Sequence, residues 1–372
     1  MELSTLLAAV KPRERTDQYR ILAALYCLEA HKNPVTAKAV SDLLKLHFGL
    51  KKAPRNVNAS LRSYTTHVAP AERGPPIRWK LLDSGSELLR TQSGLSLADS
   101  SSADFNYDVG VICALEQPEF EAVQRAFGGA PAWSLVGTAR FPNVYRETSI
   151  TTADGKTLRI VGTTSNAMGL TPAAIVTTHL ILQFKPRLVI MVGIAAGTRG
   201  GNRQFGDILV ADPSVDYNSG KVDRVGEIRE FRPDPYPIGL HSRVRGVLRK
   251  YAGSNSIFTD IRSRWRGASP KERNGLHIGP VGAADQVIDD ETRIIEIQRN
   301  WRKLIGVEME TYAVYRACHE APEPKPRFAS FKSVCDFAAE KSDSWQQYAA
   351  FVAAEFTLEF LKAEWTALWP NL

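Results

Sequence analysis

Val192–Asp212 reads VGIAAGTRGGNRQFGDILVAD. Together with Leu188–Met191 just before it, this stretch holds an apolar run, LVIMVGI, that passes directly into Ala195, Ala196 and Gly197. After a Gly- and Arg-rich turn comes a second apolar run, Asp207–Ala211. Runs that stay apolar at both alternating faces suit strands covered on both sides, the situation of parallel sheets with helices above and below. The small residues ending the first run allow backbone N–H groups to approach a ligand closely.

Similar runs recur on either side. Strands are expected at Asp108–Leu115 (DVGVICAL), Leu158–Thr163, Gly275–Gly282, Gly306–Met309 and Phe328–Val334. A helix opens at Pro172, and an amphipathic helix is expected over Trp345–Trp369. This alternation predicts a three-layer α/β domain with a mixed, mainly parallel central sheet. Ligands of such sheets bind beyond the carboxyl ends of the strands, so residues there are the candidates for chemistry. They are Glu116, Glu119 and Glu121 after the first strand, Ala195 to Gly197 after the most apolar one, and Asp336 after SVC. In GVEMETYAV, Glu308 and Glu310 are expected on one side because the strand repeat is two.

The chain of 372 residues exceeds one average domain. With 44% hydrophobic and 23% charged residues it is neither disordered, collagenous nor coiled coil. No run of about eighteen apolar residues occurs, so no membrane-spanning helix is expected. The opening MELSTLLAAVKPRER carries no basic region ahead of its apolar run, and no secretory leader is expected. Cys27, Cys113, Cys318 and Cys335 are scattered, which argues against a disulfide framework or zinc site and for a reducing cytoplasm. The formal net charge is +7, concentrated in two places. Residues 1–104 hold 15 Lys/Arg against 10 Asp/Glu, and a basic insertion at 224–275 holds 12 against 5. Such runs are most simply solvated faces.

Residues 92–106, QSGLSLADSSSADFN, read as a linker between a unit at 1–91 and a larger one at 107–372. Before it, Tyr19, Leu22, Ala23, Tyr26 and Cys27 share a helix face beginning near Thr16 or Asp17. Thr36 suits the cap of a second helix and Pro54 the start of a third. IRWKLLDSGSELL reads as two strands joined at Asp83-Ser84-Gly85. Three helices and a hairpin resemble a winged helix-turn-helix module. Arg55, Asn56, Asn58 and Arg62 would occupy its recognition helix, with Arg78 and Lys80 on the wing. DNA binding and protein docking both remain open for it.

Five segments in order, VGVICALEQPEFEAV (109–123), TTSNAMGLTPAA (163–174), the 192–212 stretch, GVEMETYAVYRAC (306–318) and FKSVCDFAAEKS (331–342), resemble the purine nucleoside phosphorylase and nucleosidase superfamily. The resemblance is nearest to its methylthioadenosine/S-adenosylhomocysteine nucleosidase branch. It implies that Glu119 activates the attacking water, with Glu116 a competitor because the opening segment carries one extra residue. It implies that Glu310 grips the ribose hydroxyls within Glu308-Met309-Glu310, with Met309 packed on the sugar, and that Asp336 sits over N7 and the exocyclic group of a purine. Met168 and Gly169 would lie near the ribose, Ala195, Ala196 and Gly197 would line the base pocket, and Gln286 and Val287 would sandwich the base.

These residue types suit the chemistry in their own right. An N-ribosidic bond breaks through an oxocarbenium-like sugar, which a carboxylate stabilises, while an acid protonates the departing base. Asp at the base position accepts from an amino group, pointing to adenine. The phosphorylases of the family carry a Gly/Arg phosphate loop after the first strand, where this chain has Glu-Gln-Pro-Glu (116–119), so hydrolysis is expected. GAADQVIDD (282–290) lacks the aromatic ring often found there. Arg199, Arg203 and arginines of the insertion are candidates for holding nucleotide phosphates, since a guanidinium pairs two oxygens at once. Neither metal nor organic cofactor is expected. A homo-oligomer is, because family members commonly close each pocket with a neighbour. Proteins resembling this one, with an extra N-terminal module, occur as antiviral effectors that deplete adenine nucleotides. The rival reading is a purine-sensing DNA-binding regulator without turnover.

Overall fold

The computed structural model describes residues 3–11, 15–31, 33–48, 56–71, 75–93, 105–137, 141–225, 228–253, 256–338 and 343–370. The chain divides into two compact units, Met1–Asp104 and Phe105–Leu372. Most of the expected linker, and Pro54 and Arg55 of the expected third helix, lie outside the described residues.

The first unit contains α1 (Leu3–Ala8), α2 (Asp17–Cys27), β1 (Val35–Thr36), α3 (Ala37–Phe48), α4 (Val57–Ser63), β2 (Val68–Pro70), β3 (Arg78–Leu81) and α5 (Asp83–Ser93). Thr16 Oγ1 accepts the Tyr19 N–H at 3.1 Å and Thr36 Oγ1 that of Ala39 at 3.2 Å, so both threonines cap helices as expected. The strands form an antiparallel sheet in the order β1-β3-β2. One local expectation fails: IRWKLLDSGSELL is not a hairpin. Only Arg78–Leu81 is a strand; its partner lies upstream at Val68–Pro70, and Asp83 onward is helical. Buried Leu89, packed with Leu81, Val68 and Trp79, belongs to a core that helical spacing serves as well as alternation does.

The second unit is built on a nine-stranded sheet. Its strands are β4 (Tyr107–Cys113), β5 (Ser134–Val136), β6 (Tyr145–Thr151), β7 (Thr157–Thr164), β8 (Pro186–Gly197), β9 (Ile208–Asp216), β12 (Leu276–Ala283), β13 (Gly306–Glu308) and β14 (Arg327–Asp336). A separate hairpin, β10 (Gly220–Val225) with β11 (Ile228–Pro233), stands apart from it. The sheet order is β13-β12-β9-β14-β8-β4-β7-β6-β5. The central pairs β14–β8, β8–β4, β4–β7, β9–β12 and β12–β13 are parallel, and β9–β14, β6–β7 and β5–β6 are antiparallel. β13 also crosses back antiparallel to the end of β8, pairing Gly306 with Gly197.

Two groups of helices cover the sheet. α7 (Leu170–Phe184) and α11 (Thr311–His319) pack on each other, while α12 (Gln346–Leu368) lies on β8 and β14 beside α6 (Glu121–Ala126), α8 (Ser242–Leu248) and α9 (Ser256–Arg264). A further helix, α10 (Glu291–Asn300), follows β12. Trp365 of α12 is a core residue. In the basic insertion, Arg245 pairs with Asp212, Lys250 with Glu364 at 2.7 Å, and Arg264 with Glu355 and Glu359 at 3.1 and 2.9 Å. Arg262 donates to the carbonyls of Pro270 and Glu272. Arg245, Lys250 and Arg264 hold the insertion to the body of the unit, and Arg262 braces the insertion internally.

Candidate active site

β4 runs out at Cys113 and the chain turns tightly through Glu116–Phe120, which folds the Glu119 side chain back over the strand end. Glu119 Oε2 accepts the N–H groups of Ala114 and Leu115 at 2.8 and 2.9 Å, and Oε1 accepts that of Ile194 on β8 at 2.8 Å. One carboxylate thus ties together two adjacent parallel strand ends. It is only 2% exposed, and burial pushes its pKa above the usual glutamate range against the pull of Lys332. Glu116 instead reaches outward to Arg146 at 3.1 Å and Thr164 at 3.3 Å. Of the two competing carboxylates, only Glu119 faces the hollow described below.

The approach is close enough to require glycine at residue 193. A methyl group built on Gly193 collides with Glu119 Oε1. Gly193→Ala is therefore expected to displace the carboxylate and lower turnover by roughly 10²-fold or more, the scale of a lost general base. An unchanged rate, measured with the variant's melting temperature, would show that Glu119 is not held where it acts.

β13 ends at Glu308, one residue earlier than expected, so Glu308 and Glu310 do not alternate along a strand. Both Glu308 oxygens cap α11: Oε2 accepts the N–H groups of Glu310 and Thr311 at 3.0 and 2.9 Å, and Oε1 accepts that of Thr311 at 3.0 Å. Glu310 swings into the hollow, where Oε1 accepts the Gly169 N–H at 3.1 Å and Oε2 receives Lys332 Nζ at 3.0 Å. Gly169 has φ of 114°, a conformation that favours glycine and lets its N–H face Glu310. Lys332 also lies 3.4 Å from Glu308 and is 2% exposed. Burial alone depresses the lysine pKa, but Glu310, Glu119 and Glu308 offset this and the net direction is upward. The lysine stays charged. One cation cannot neutralise three carboxylates, and Glu308, like Glu119, is shifted up by burial.

Asp336 ends β14, with Oδ1 accepting the Ala338 N–H at 2.8 Å and Cys335 Sγ 3.4 Å from Oδ2. All these strand ends open on one hollow of about 310 Å³. Glu119, Met168, Ala195, Ala196, Gln286, Val287, Glu308, Met309, Glu310 and Asp336 line it, ten of the residues expected from the sequence. Gly169 and Gly197 do not; the first acts through its N–H, and the second abuts Phe337 and the β13 crossing. Arg199 and Arg203 are absent from the lining as well. Arg203 folds back to donate to Thr198 O and Oγ1 at 3.0 and 2.9 Å, so phosphate contact by this pair is a proposal that would be met outside this lining.

Sequence reasoning missed Lys332, Ile194, Cys335 and Gln346, all in the lining. Lys332 carried a signal, a lone charge within the apolar strand Phe328–Val334. Chemically the hollow sets four carboxyl groups, those of Glu119, Glu308, Glu310 and Asp336, against one ammonium group. Such a field favours positive charge developing on a bound molecule and disfavours an incoming anion. Among the described residues no group of three or more His, Cys, Asp or Glu is placed to hold a metal ion.

The chain belongs to the phosphorylase superfamily, whose family model matches residues 108–362. It is 32% identical to the uncharacterized protein y4jS of Sinorhizobium fredii over 68% of this chain and 60% of that one. It is 26% identical to the ATP nucleosidase Cap17 of Escherichia coli over 66% of this chain and 50% of the other. The chain thus spans about half to three-fifths of the length of these curated relatives. Among solved structures, a 5'-methylthioadenosine/S-adenosylhomocysteine nucleosidase from Colwellia psychrerythraea in complex with adenine superposes with a TM-score of 0.52 at 20% identity, covering 69% of this chain and 95% of that one. Futalosine hydrolase of Helicobacter pylori gives 0.51 at 17% identity over 69% and 97%. These likenesses establish the fold.

Proposed function

We propose that the second unit hydrolyses the N-ribosidic bond of an adenine nucleoside or nucleotide and releases adenine. The observation that carries this reading is the convergence of Glu119, Glu310 and Asp336 on one hollow whose only lining cation, among the described residues, is already shared by carboxylates. Asp336 delivers a proton to N7, the bond from the anomeric carbon to N9 breaks, and the electron pair leaves with the base. Glu310 holds the ribose hydroxyls and stabilises the cationic sugar. Water then adds to the anomeric carbon as Glu119 takes its proton. A phosphate ion would meet the carboxylates of the hollow with no free cation, so water is the nucleophile. The similarity to an ATP nucleosidase and to methylthioadenosine/S-adenosylhomocysteine nucleosidases supports adenine as the base and is consistent with an antiviral, nucleotide-depleting role.

The test is direct. Purified protein is incubated with methylthioadenosine, adenosine, AMP and ATP, and free adenine is sought by chromatography. Adenine from at least one of them is expected. Purine binding without release from any would favour the sensing regulator instead. Asp336→Asn is expected to lower the rate by roughly 10²-fold, the general-acid scale, and to weaken the preference for 6-amino over 6-oxo purines. Equal rates on both bases before and after the change would remove Asp336 from base recognition.

The unit acts as a homo-oligomer in this reading. α7 carries no Asp, Glu, Lys or Arg in its 15 positions, and Ile175 and Leu182 are 50% and 43% exposed on it; Met168, just before the helix, is 49% exposed at the hollow. Exposed apolar side chains on one helix face suit contact with another copy. Sedimentation should give a dimer or larger, and Ile175→Asp should shift it toward monomer; a monomeric wild type would overturn this. The first unit is proposed as a winged-helix-like accessory module for DNA or protein. A mobility-shift assay on the full chain, with Arg62→Glu as control, separates the two partners.

A further inference from the structure

A second hollow, of about 390 Å³, lies between α10 and the hairpin strand β11. Phe231 and Trp301 supply aromatic rings to its lining, and Arg293, Glu296 and Arg299 supply charge. Glu296 is paired with Arg293 at 3.1 Å, and Glu230 of the lining with Arg232 at 3.4 Å. The lining balances two arginines against two glutamates, and Arg299 is the one of these four without an ion-pair partner among the described residues. In its walls Tyr217 Oη and Trp301 Nε1 are buried without a hydrogen-bond partner among the described residues. Buried donors left unpaired are disfavoured by about 1–3 kcal/mol each, so a ligand that accepts from them would be favoured here.

The hollow is linked to the catalytic one through an apolar cluster with members in both walls. Tyr217, Ile297 and Trp301 belong to the same small apolar cluster as Ala196, Ile288 and Val307, which line the catalytic hollow. Arg293 also lines a groove formed with Gln286–Asp290, and Gln286, Val287 and Ile288 are part of the catalytic lining. Whatever engages Arg293 and Trp301 therefore bears on the loop that would sandwich the base.

We propose that this hollow is a second binding site, for a mononucleotide, and that its occupancy adjusts the Gln286–Ile288 loop and hence turnover. The base packs against Trp301 and Phe231, its edge meets the carboxylates and amide of the wall, and its phosphate pairs with Arg299. The volume falls within the range of small-molecule sites. The effect on turnover rests on the function proposed above; the binding does not.

Calorimetric titration of the full chain with GMP and with CMP tests it. Binding of at least one is expected, weakened roughly tenfold or more by Arg299→Glu, the loss of a charge-assisted contact, and unaffected by Glu310→Ala in the catalytic hollow. Arg299 is exposed on a helix, so this variant is expected to fold and to keep its basal rate; Trp301→Phe, which removes the indole donor and shrinks the ring, should also weaken binding, and binding unchanged in both variants would overturn the site. Adenine release should change with saturating nucleotide in the wild type and not in Arg299→Glu. Absence of binding at millimolar nucleotide, or binding lost with Glu310→Ala and kept with Arg299→Glu, would overturn the proposal whether or not adenine is released.

Discussion

Replacing Glu119 with glutamine is expected to lower adenine release by about 10³-fold, within the range for loss of a general base. The geometry makes this variant more than a loss of charge. Glu119 accepts three backbone N–H groups with its two oxygens. An amide can present its oxygen to Ala114 and Leu115 only by turning its NH₂ toward the Ile194 N–H, setting donor against donor. The side chain must then shift or leave one N–H unsatisfied, so a modest fall in stability of about 1–3 kcal/mol accompanies the loss of activity. Binding of adenosine should be largely kept, since Glu310 and Asp336 are untouched. Turnover at the wild-type rate would reassign the base. In the wild type, Glu119 must be ionised to take the proton from water, and burial raises its pKa. The acid limb of the kcat profile is therefore expected above the value of about 4.3 for an ordinary glutamate, with activity falling as pH falls through it. Stability responds with the opposite sign. The folded pKa exceeds the unfolded one, so ionising Glu119 weakens the fold at higher pH and protonation relieves that.

The second large effect is expected at Lys332. Lys332→Met removes the single cation facing Glu310, Glu308 and Glu119, leaving buried carboxylates uncompensated. Breaking a buried pair from one side is disfavoured by about 3–5 kcal/mol, and denaturant unfolding should show a loss of that order. Activity should fall as well, because Glu310 loses the partner that orients it toward the sugar. Lys332→Arg keeps the charge and should recover most of the stability while altering KM, since the larger head must fit within a site of 2% exposure. A Met variant as stable and active as the wild type would mean that the carboxylates do not depend on the lysine.

The candidate site was legible to an unusual degree because its residues sit at the ends of apolar strands. VGVICALEQPEFEAV, GVEMETYAV and SVCDFA each carry a carboxylate just past a run that could only be a strand, and the sheet gathers such ends at one edge. Less was readable where the deciding contact lies far away in the chain. Arg203, beside the glycine turn, has the composition of a phosphate ligand, and only the fold reveals its guanidinium turned onto Thr198. Glu116 remained a competitor to Glu119 until the turn at Glu116–Phe120 sent one outward and one in. In the first unit, LLDSGSELL satisfies a helix as well as a hairpin, and the true partner of Arg78–Leu81, the three-residue Val68–Pro70, is too short to announce itself.

By itself the amino-acid order determined the alternation of doubly covered strands with helices, the capping threonines, and which acidic residues follow which strands, because those depend on neighbours within a few residues. Tertiary structure decided the rest. It brought Lys332 among Glu119, Glu308 and Glu310, demanded glycine at residue 193, used Glu308 to cap α11 while freeing Glu310 for the hollow, and tied Arg232, Arg245, Arg262 and Arg264 of the insertion to intramolecular partners. Each of those outcomes depends on groups tens to hundreds of residues apart meeting where water is excluded, and burial there sets both the charge balance and the space that the local sequence leaves open.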